Sequence, residues 1–489
     1  MQKLLLGLFL ILATPAAAQM ADSLRAVVGT TATAATQGYQ PLWSVANRYG
    51  TIADQQADAS TFVAFRNEHA LGSGQQRALP PGASRSQRRG FYVGYGAALY
   101  NNNHFNSFFL PEGYAKIGYR TWQLRAGRYR EVTGAIDPSL SSGSLGISGN
   151  ALPLPKVELA VTDYTNVPFT HGWVQFKGNF AHGWFGNQPP IDGAYLHQKS
   201  LYVRVGKKRL RGYGGLTHFA QWGGTFASGQ APSRFSDYLR IVLGRSGNGE
   251  DPVYQQGPVD IANAVGNHLL IPEFGLSFRK DSATIRFYTQ TIFEKGVGDS
   301  TNANQRDRLD GLKVLSRDRL VGFSWETTRR GWLQKVLVEV LYTKYQGGPV
   351  IYQGRDNYYN NGTYSIGWQY QRRIIGTPLF LNTQNADNYQ LGSAAYSWPV
   401  ISNRVIAVHL GLKGTLTSKL KYRLLATHVR HYGNYYNTPY FATPKTQTSL
   451  LAEVPCQLGR LVATAAVASD FGDFGTNTAG ILRLAYQLR

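Results

Sequence analysis

Cysteine is almost missing from this chain: Cys456 is the only one among 489 residues. No internal disulfide can form, so stability has to come from packing and from closure of backbone hydrogen bonds. Cys456, between Pro455 and Gln457, reads as an incidental residue at a turn. Acidic residues are also scarce, 28 against 50 basic ones, for a formal net charge of +22. Beyond the N-terminus no run of 18 apolar residues occurs, which excludes a transmembrane helix. A transmembrane β-barrel stays open, because its lipid face uses only every second residue. Catalytic signatures are absent as well: no GxSxG elbow, HExxH, CxxC or Walker loop. His171, His197, His218 and His268 lack metal-ligand spacing, so neither a metal nor another cofactor is expected. Glu131 and Asp137 can be imagined as a glycosidase pair. Carboxylates beside arginines are more simply read as ion pairs, and no enzyme is expected.

What is present begins with a secretory signal. Lys3 gives the positive start, Leu4 to Ala13 the apolar stretch, and Ala16 and Ala18 a small-x-small cleavage site before Gln19. An exported basic protein has little call for nucleic acid. The partners left are outer-membrane lipid headgroups, lipopolysaccharide phosphates and acidic extracellular polysaccharide. The 54 glycines, 30 tyrosines and 23 phenylalanines suit strands, turns and aromatic girdles.

Period-two runs recur from Phe91 onward. FYVGYGAALY is followed by YAKIGYR and WQLRAGRYR, joined near Arg120-Thr121. LYVRVG and GGLTHFAQWG flank the basic turn Lys207-Lys208-Arg209. In ATIRFYTQTIFE, Ile285 and Phe287 oppose Arg286, Tyr288 and Gln290. In VLVEVLYTKYQ, Val336, Val338, Val340 and Tyr342 oppose Glu339 and Thr343. ILRLAYQLR places Leu482, Leu484, Tyr486 and Leu488 on one face and carries the pattern to the C-terminus. Unequal connections separate these runs; 299–317 and 355–362 are long and polar. The pattern predicts an all-β fold: a transmembrane antiparallel β-barrel of about 16–18 strands with long extracellular loops. The expected divisions are a signal peptide at 1–18, an N-terminal segment at 19–90 and the barrel at 91–489. The N-terminal segment can be a leader, a small plug, a helical piece or the first strands; within it PLWSVANRYG looks like an aromatic strand end.

The most informative stretch is RAGRYREVTGAIDPSLSSGSLGISGNALPLP, Arg125 to Pro155. An alternating strand ends in Arg128-Tyr129-Arg130 and gives way to a long loop of Gly, Ser, Asn and Pro, the kind of loop on which ligands meet a barrel. Sugar recognition combines aromatic faces with planar polar groups, and acidic sugars add a call for arginine. Three clusters mix these types. They are Arg128, Tyr129 and Arg130; His171 and Trp173, with Gln175 and Lys177; and Arg355, Asp356, Tyr358 and Tyr359 with their neighbouring asparagines.

Several stretches resemble the Wzi-type capsule assembly protein family, in the version carried by Bacteroidetes-like bacteria. They are PLWSVANRYG, RAGRYRE, SLSSGSLGISGNALPLPKVELAVTDYTNVP, HGWVQFKGNFAHGWFGN, AYLHQKSLYVRVG, GGLTHFAQWGG and RDNYYNNGTYSIGWQYQRRIIGTPLF. They spread over about residues 41–380 in the expected order, and the GSLGISGNALPLP and RDNYYNNG blocks are the most specific. The resemblance implies an outer-membrane barrel of about eighteen strands with some helical or plugging structure. It also implies a non-enzymatic lectin that holds capsular polysaccharide at the cell surface, expected here as a monomer. The competing expectation is an outer-membrane diffusion porin for anions or sugars.

Overall fold

The computed structural model describes residues 24–71, 90–103, 106–245, 247, 265–294, 316–346, 356–392, 397–436, 441 and 443–488. The signal segment, the Ser73 to Arg89 stretch, Arg355 and all but the last two residues of 299–317 lie outside the described residues.

Eighteen strands form one closed antiparallel barrel. The first nine are β1 (Arg25–Ala35), β2 (Ala57–Leu71), β3 (Phe91–Asn102), β4 (Ser107–Tyr119), β5 (Trp122–Arg128), β6 (Lys156–Asn166), β7 (Val174–Gln188), β8 (Ile191–Val205) and β9 (Leu210–Trp222). The rest are β10 (Asn267–Lys280), β11 (Ala283–Thr291), β12 (Arg319–Thr327), β13 (Lys335–Tyr342), β14 (Val405–Thr415), β15 (Lys421–His431), β16 (Lys445–Leu458), β17 (Leu461–Gly472) and β18 (Asn477–Gln487). Each strand pairs with the next, and β1 pairs with β18 from Val27↔Gln487 to Ala35↔Ala479. That last pairing removes the free edges, which no lipid could satisfy. Two strands precede Phe91, so the barrel already begins at Arg25.

Alternation decides which side chains meet lipid. On β13, Val338 and Val340 are exposed outside, whereas Leu337, Glu339 and Leu341 are buried inside. On β11, Phe287 points out while Tyr288 and Gln290 are buried inside. Leu482, Leu484 and Tyr486 of β18 continue the outer apolar surface. Pro455 and Cys456 lie within β16 rather than at a turn. Proline is tolerated there because the continuous β15 pairing has ended at Glu453↔Arg423; Pro455 is registered only with Thr464 of β17, and its missing N–H costs no bond.

The two ends of the barrel differ. Connections 120–121, 167–173, 206–209, 281–282, 328–334, 416–420 and 459–460 are short and share an end with both chain termini. Connections 36–56, 129–155, 223–266, 292–318 and 343–404 are long and share the other end. Three of the long ones turn inward. PLWSVANRYG is not a strand end: it holds helix α1 (Leu42–Val45), whose Trp43 Nε1 donates to Thr427 Oγ1 on the inner wall at 3.1 Å. An indole seated on a lumenal hydroxyl favours a tight turn within the barrel over extension of a strand. Leu140 and Leu145 of 129–155, and Trp368, Ile375 and Phe380 of 343–404, join Trp43 and wall residues such as Leu320 and Leu337 in one buried cluster. The middle of the lumen is therefore a packed protein core.

Candidate functional site

The inward segment 129–155 is held by carboxylates and amides of the wall. Glu339 accepts from Ser141 Oγ at 2.6 Å, Ser142 N at 2.7 Å and Ser142 Oγ at 2.6 Å, and from the Tyr288 hydroxyl. Glu273 accepts from Ala135 N at 2.8 Å and from Tyr213 OH at 2.8 Å. His409 Nε2 meets Leu140 O at 2.6 Å. Gly134 has a φ of +90°, and a Cβ there would run into Gln290 and Glu273. Glycine lets the loop press directly on the wall at that point. Serine and glycine suit such a segment because each small hydroxyl or bare N–H satisfies a wall group without adding volume.

Farther down, Asp137 pairs with Lys335. Burial pushes its carboxyl up, but Lys335 and the Ser139 hydroxyl outweigh that and hold it below the usual carboxylate range. Glu131 is taken by Lys156 and by Gln198 Nε2, the latter at 2.8 Å. The two imagined glycosidase carboxylates are thus separately committed to cations of the wall.

The cap, formed by the inward-turned connection 343–404, locks onto the same loop. Tyr359 OH donates to Leu145 O at 2.6 Å, Trp368 Nε1 to Gly146 O at 2.9 Å, and Asn150 Nδ2 to Ile374 O at 2.9 Å. Arg373 reaches across to Ile52 O at 3.0 Å and ties in 36–56. Tyr358 OH donates to Asp318 Oδ2 at 2.8 Å. Burial pushes the Asp318 carboxyl up, against hydrogen bonds from Tyr358, Tyr345 and Gln346, with nearby Asp356 adding to the rise. A cavity between Tyr49, Tyr129, Glu131, Leu154 and Lys156 holds only about 20 Å³, the room of one water.

These contacts sort the residues expected to bind sugar. Tyr129 is buried, its ring 3.3 Å from the Arg125 guanidinium and its hydroxyl donating to Glu158 at 2.7 Å. Asp356, Tyr358 and Tyr359 are likewise buried in the cap. Arg128 and Arg130 stay at the outer mouth. Arg128 donates to Tyr370 OH at 2.7 Å. Arg130 lies 3.3 Å from Glu112 and 5.2 Å from the Tyr49 ring. His171 and Trp173 sit exposed in connection 167–173, at the opposite end of the barrel. The structure therefore joins the first and third clusters through 129–155 and separates the second from both.

Sequence reading missed the neighbours of Arg128. Gln369–Tyr370 and Arg373–Ile374 form a miniature hairpin whose turn, Gln371-Arg372, has positive φ at both residues and is exposed. Gln371 N donates to Gln188 Oε1 at 2.8 Å, which ties this hairpin to the end of β7. Arg372 lies 3.5 Å from Asp387, with side-chain exposures of 73% and 47%. A pair that open is worth little, so Arg372 can leave it for a ligand. Arg128, Gln188, Gln371 and Arg372 set planar polar groups about Tyr370, which is itself buried, and the exposed Arg130 stands two residues from Arg128. The signal lay in WQYQRRIIG, where a polar Gln-Arg pair interrupts residues of strand type.

Sequence comparison matches residues 33–396 to the family described as capsule assembly protein Wzi. No curated protein matches the chain. Among solved structures it is similar to Wzi of Escherichia coli, described as an outer membrane protein involved in group 1 capsule assembly and a carbohydrate-binding β-barrel. The identity is 12% and the TM-score 0.53, over 93% of this chain and 83% of that one. It also matches OpdL of Pseudomonas aeruginosa at 9% identity and TM-score 0.45, over 95% of this chain and 98% of that one. The outer membrane channel DcaP of Acinetobacter baumannii matches at 10% identity and TM-score 0.41, over 95% and 96%.

Proposed function

The chain belongs to the Wzi capsule assembly family and is a bacterial outer-membrane protein; from that premise we propose that it binds acidic polysaccharide at its outer rim without catalysing a reaction on it. In outer-membrane barrels the long loops face outside, so the rim carrying Arg128, Gln371 and Arg372 meets the medium. The observation that carries the reading is an exposed set of guanidinium and amide groups, Arg130, Gln371 and Arg372 with the half-buried Arg128, seated over the buried Tyr370 on a rigid, loop-filled barrel. Guanidinium forks hold sugar carboxylates in a fixed plane. Weak contacts repeated along a polymer and across many copies build retention without a tight single site. Glu131 and Asp137, each engaged by a lysine, are poorly placed to serve as an acid–base couple. The sheet has no open edge, so nothing in it requires a second copy, and a monomer is the simplest state.

The diffusion-porin reading shares the basic balance in its favour, and the packed lumen weighs against it. Retention of acidic polysaccharide by immobilised protein tests the proposal. Wild type is expected to retain it in a salt-dependent manner, and Arg128→Gln/Arg130→Gln/Arg372→Gln to lose most of that retention. No retention by wild type at any salt concentration, together with steady large conductance in planar bilayers, would favour the porin.

A further inference from the structure

Helix α2 (Phe235–Leu243) lies against the outside of the barrel wall. On β8 the outward register runs through the exposed Leu201, Val203 and Val205, and the same register includes His197 and Lys199. On β9 it includes His218 and Trp222, and on β10 His268 above the exposed Phe274 and Leu276. These residues face away from the lumen, yet His197, His218, His268 and Trp222 are buried. The helix covers this part of the wall. The Tyr238 ring lies 5.7 Å from His197, 5.1 Å from Trp222 and 5.8 Å from His182. Ile241 packs in the same cluster as Trp222, and Lys199 donates to the Val242 carbonyl.

The other face of α2 is apolar and open. Phe235, Leu239 and Leu243, spaced four apart, are 75%, 46% and 54% exposed. Such a stripe is out of place in water. In height it matches lipid. Lys199 stands six residues from Val205 at the short-turn end, about 20 Å along a strand at ~3.3 Å per residue. With a tilt near 40° that is about 15 Å of rise in an apolar band about 25 Å tall, so the helix crosses the outer part of that band. The stripe continues the lipid-facing surface of Trp184, Leu201 and Phe274. Basic residues bracket it: Arg234 at the N-cap, 3.1 Å from Asp237, Arg240 in the last turn, and the exposed Arg245 beyond Gly244.

We propose that α2 is an interfacial helix seated in the outer leaflet. Phe235, Leu239 and Leu243 enter the acyl chains, and Arg234, Arg240 and Arg245 meet the phosphates of an anionic glycolipid headgroup. An apolar face bracketed by arginines is the arrangement that anchors helices at anionic membrane surfaces. The proposal rests on residence in the outer membrane and is independent of the polysaccharide reading.

Two measurements test it on the full-length protein. A spin label at Leu239→Cys in a Cys456→Ser background, in lipid vesicles, is expected to be open to oxygen and shielded from a water-soluble nickel complex. A label at Gln371→Cys on the rim is expected to show the reverse. Equal nickel access at both positions overturns the seating. In detergent, added lipid A is expected to raise the unfolding temperature of wild type, and Arg234→Gln/Arg240→Gln/Arg245→Gln to lose most of that rise while keeping wild-type polysaccharide retention. An undiminished rise in the triple variant overturns the headgroup contact. An equal rise with inorganic phosphate alone overturns its lipid specificity.

Discussion

The inward segment 129–155 and the rim hairpin 369–374 use similar polar chemistry to opposite ends. In the segment the hydroxyls have fixed partners in the wall, in the 343–404 connection or in the segment itself, as where Glu339 takes three bonds from Ser141 and Ser142 and Ser148 Oγ donates to Gly376 O. At the rim, the Arg372 side chain reaches Asp387 in a loose ion pair open to solvent. Saturated polar groups specify one structure, whereas loosely held ones remain available to a ligand. Stability and binding are therefore expected to separate between these regions.

Glu339→Ala strikes the saturated side hardest. It strands Ser141, Ser142 and the Tyr288 hydroxyl in a dry interior and is expected to destabilise by several kcal/mol, at about 1–3 kcal/mol per stranded group. Denaturant unfolding in micelles reads the loss, and bilayer recordings should show conductance absent from wild type. Asp137 gives the same side a pH signature. Its folded pKa lies below the ordinary value, so its stabilisation is complete above the ordinary carboxylate range and fades as pH falls through the lowered folded value. Asp137→Asn should lower stability at neutral pH and flatten the acid limb of the stability–pH curve. A limb left unchanged would place that sensitivity elsewhere. Tyr359→Phe removes the hydroxyl that donates to Leu145 O and accepts from Thr377 N, and is expected to cost about 1–3 kcal/mol by the same unfolding assay.

Barrel and lipid face were legible in the sequence because a period of two is a local signal. Val338 and Val340 against Glu339, or Phe287 against Tyr288, needs no tertiary knowledge. The family blocks were legible too. The division of Arg, Tyr and Asn residues between framework and surface was not, because it depends on contacts distant in sequence. Tyr359 finds Leu145 across 214 positions, and Arg128 finds Tyr370 across 242. Composition alone made Tyr358 and Tyr359 look like a sugar platform, whereas packing makes them the beams under one. His171 and Trp173 looked equivalent to Arg128 and Arg130 for the same reason, and only strand order assigns them to the other end. His171→Ala/Trp173→Ala, the mildest of these changes, is accordingly expected to leave polysaccharide retention as in wild type; a clear loss would move the binding surface.

The most direct test takes both readouts from one preparation of Arg128→Gln/Arg130→Gln/Arg372→Gln. Unfolding stability is expected to fall by no more than about 1–3 kcal/mol, the scale of the Arg128–Tyr370 hydrogen bond and the Arg130–Glu112 pair, while retention of acidic polysaccharide falls at least tenfold. Retention unchanged, or lost only in step with stability, would contradict the separation of a locked interior from a binding rim.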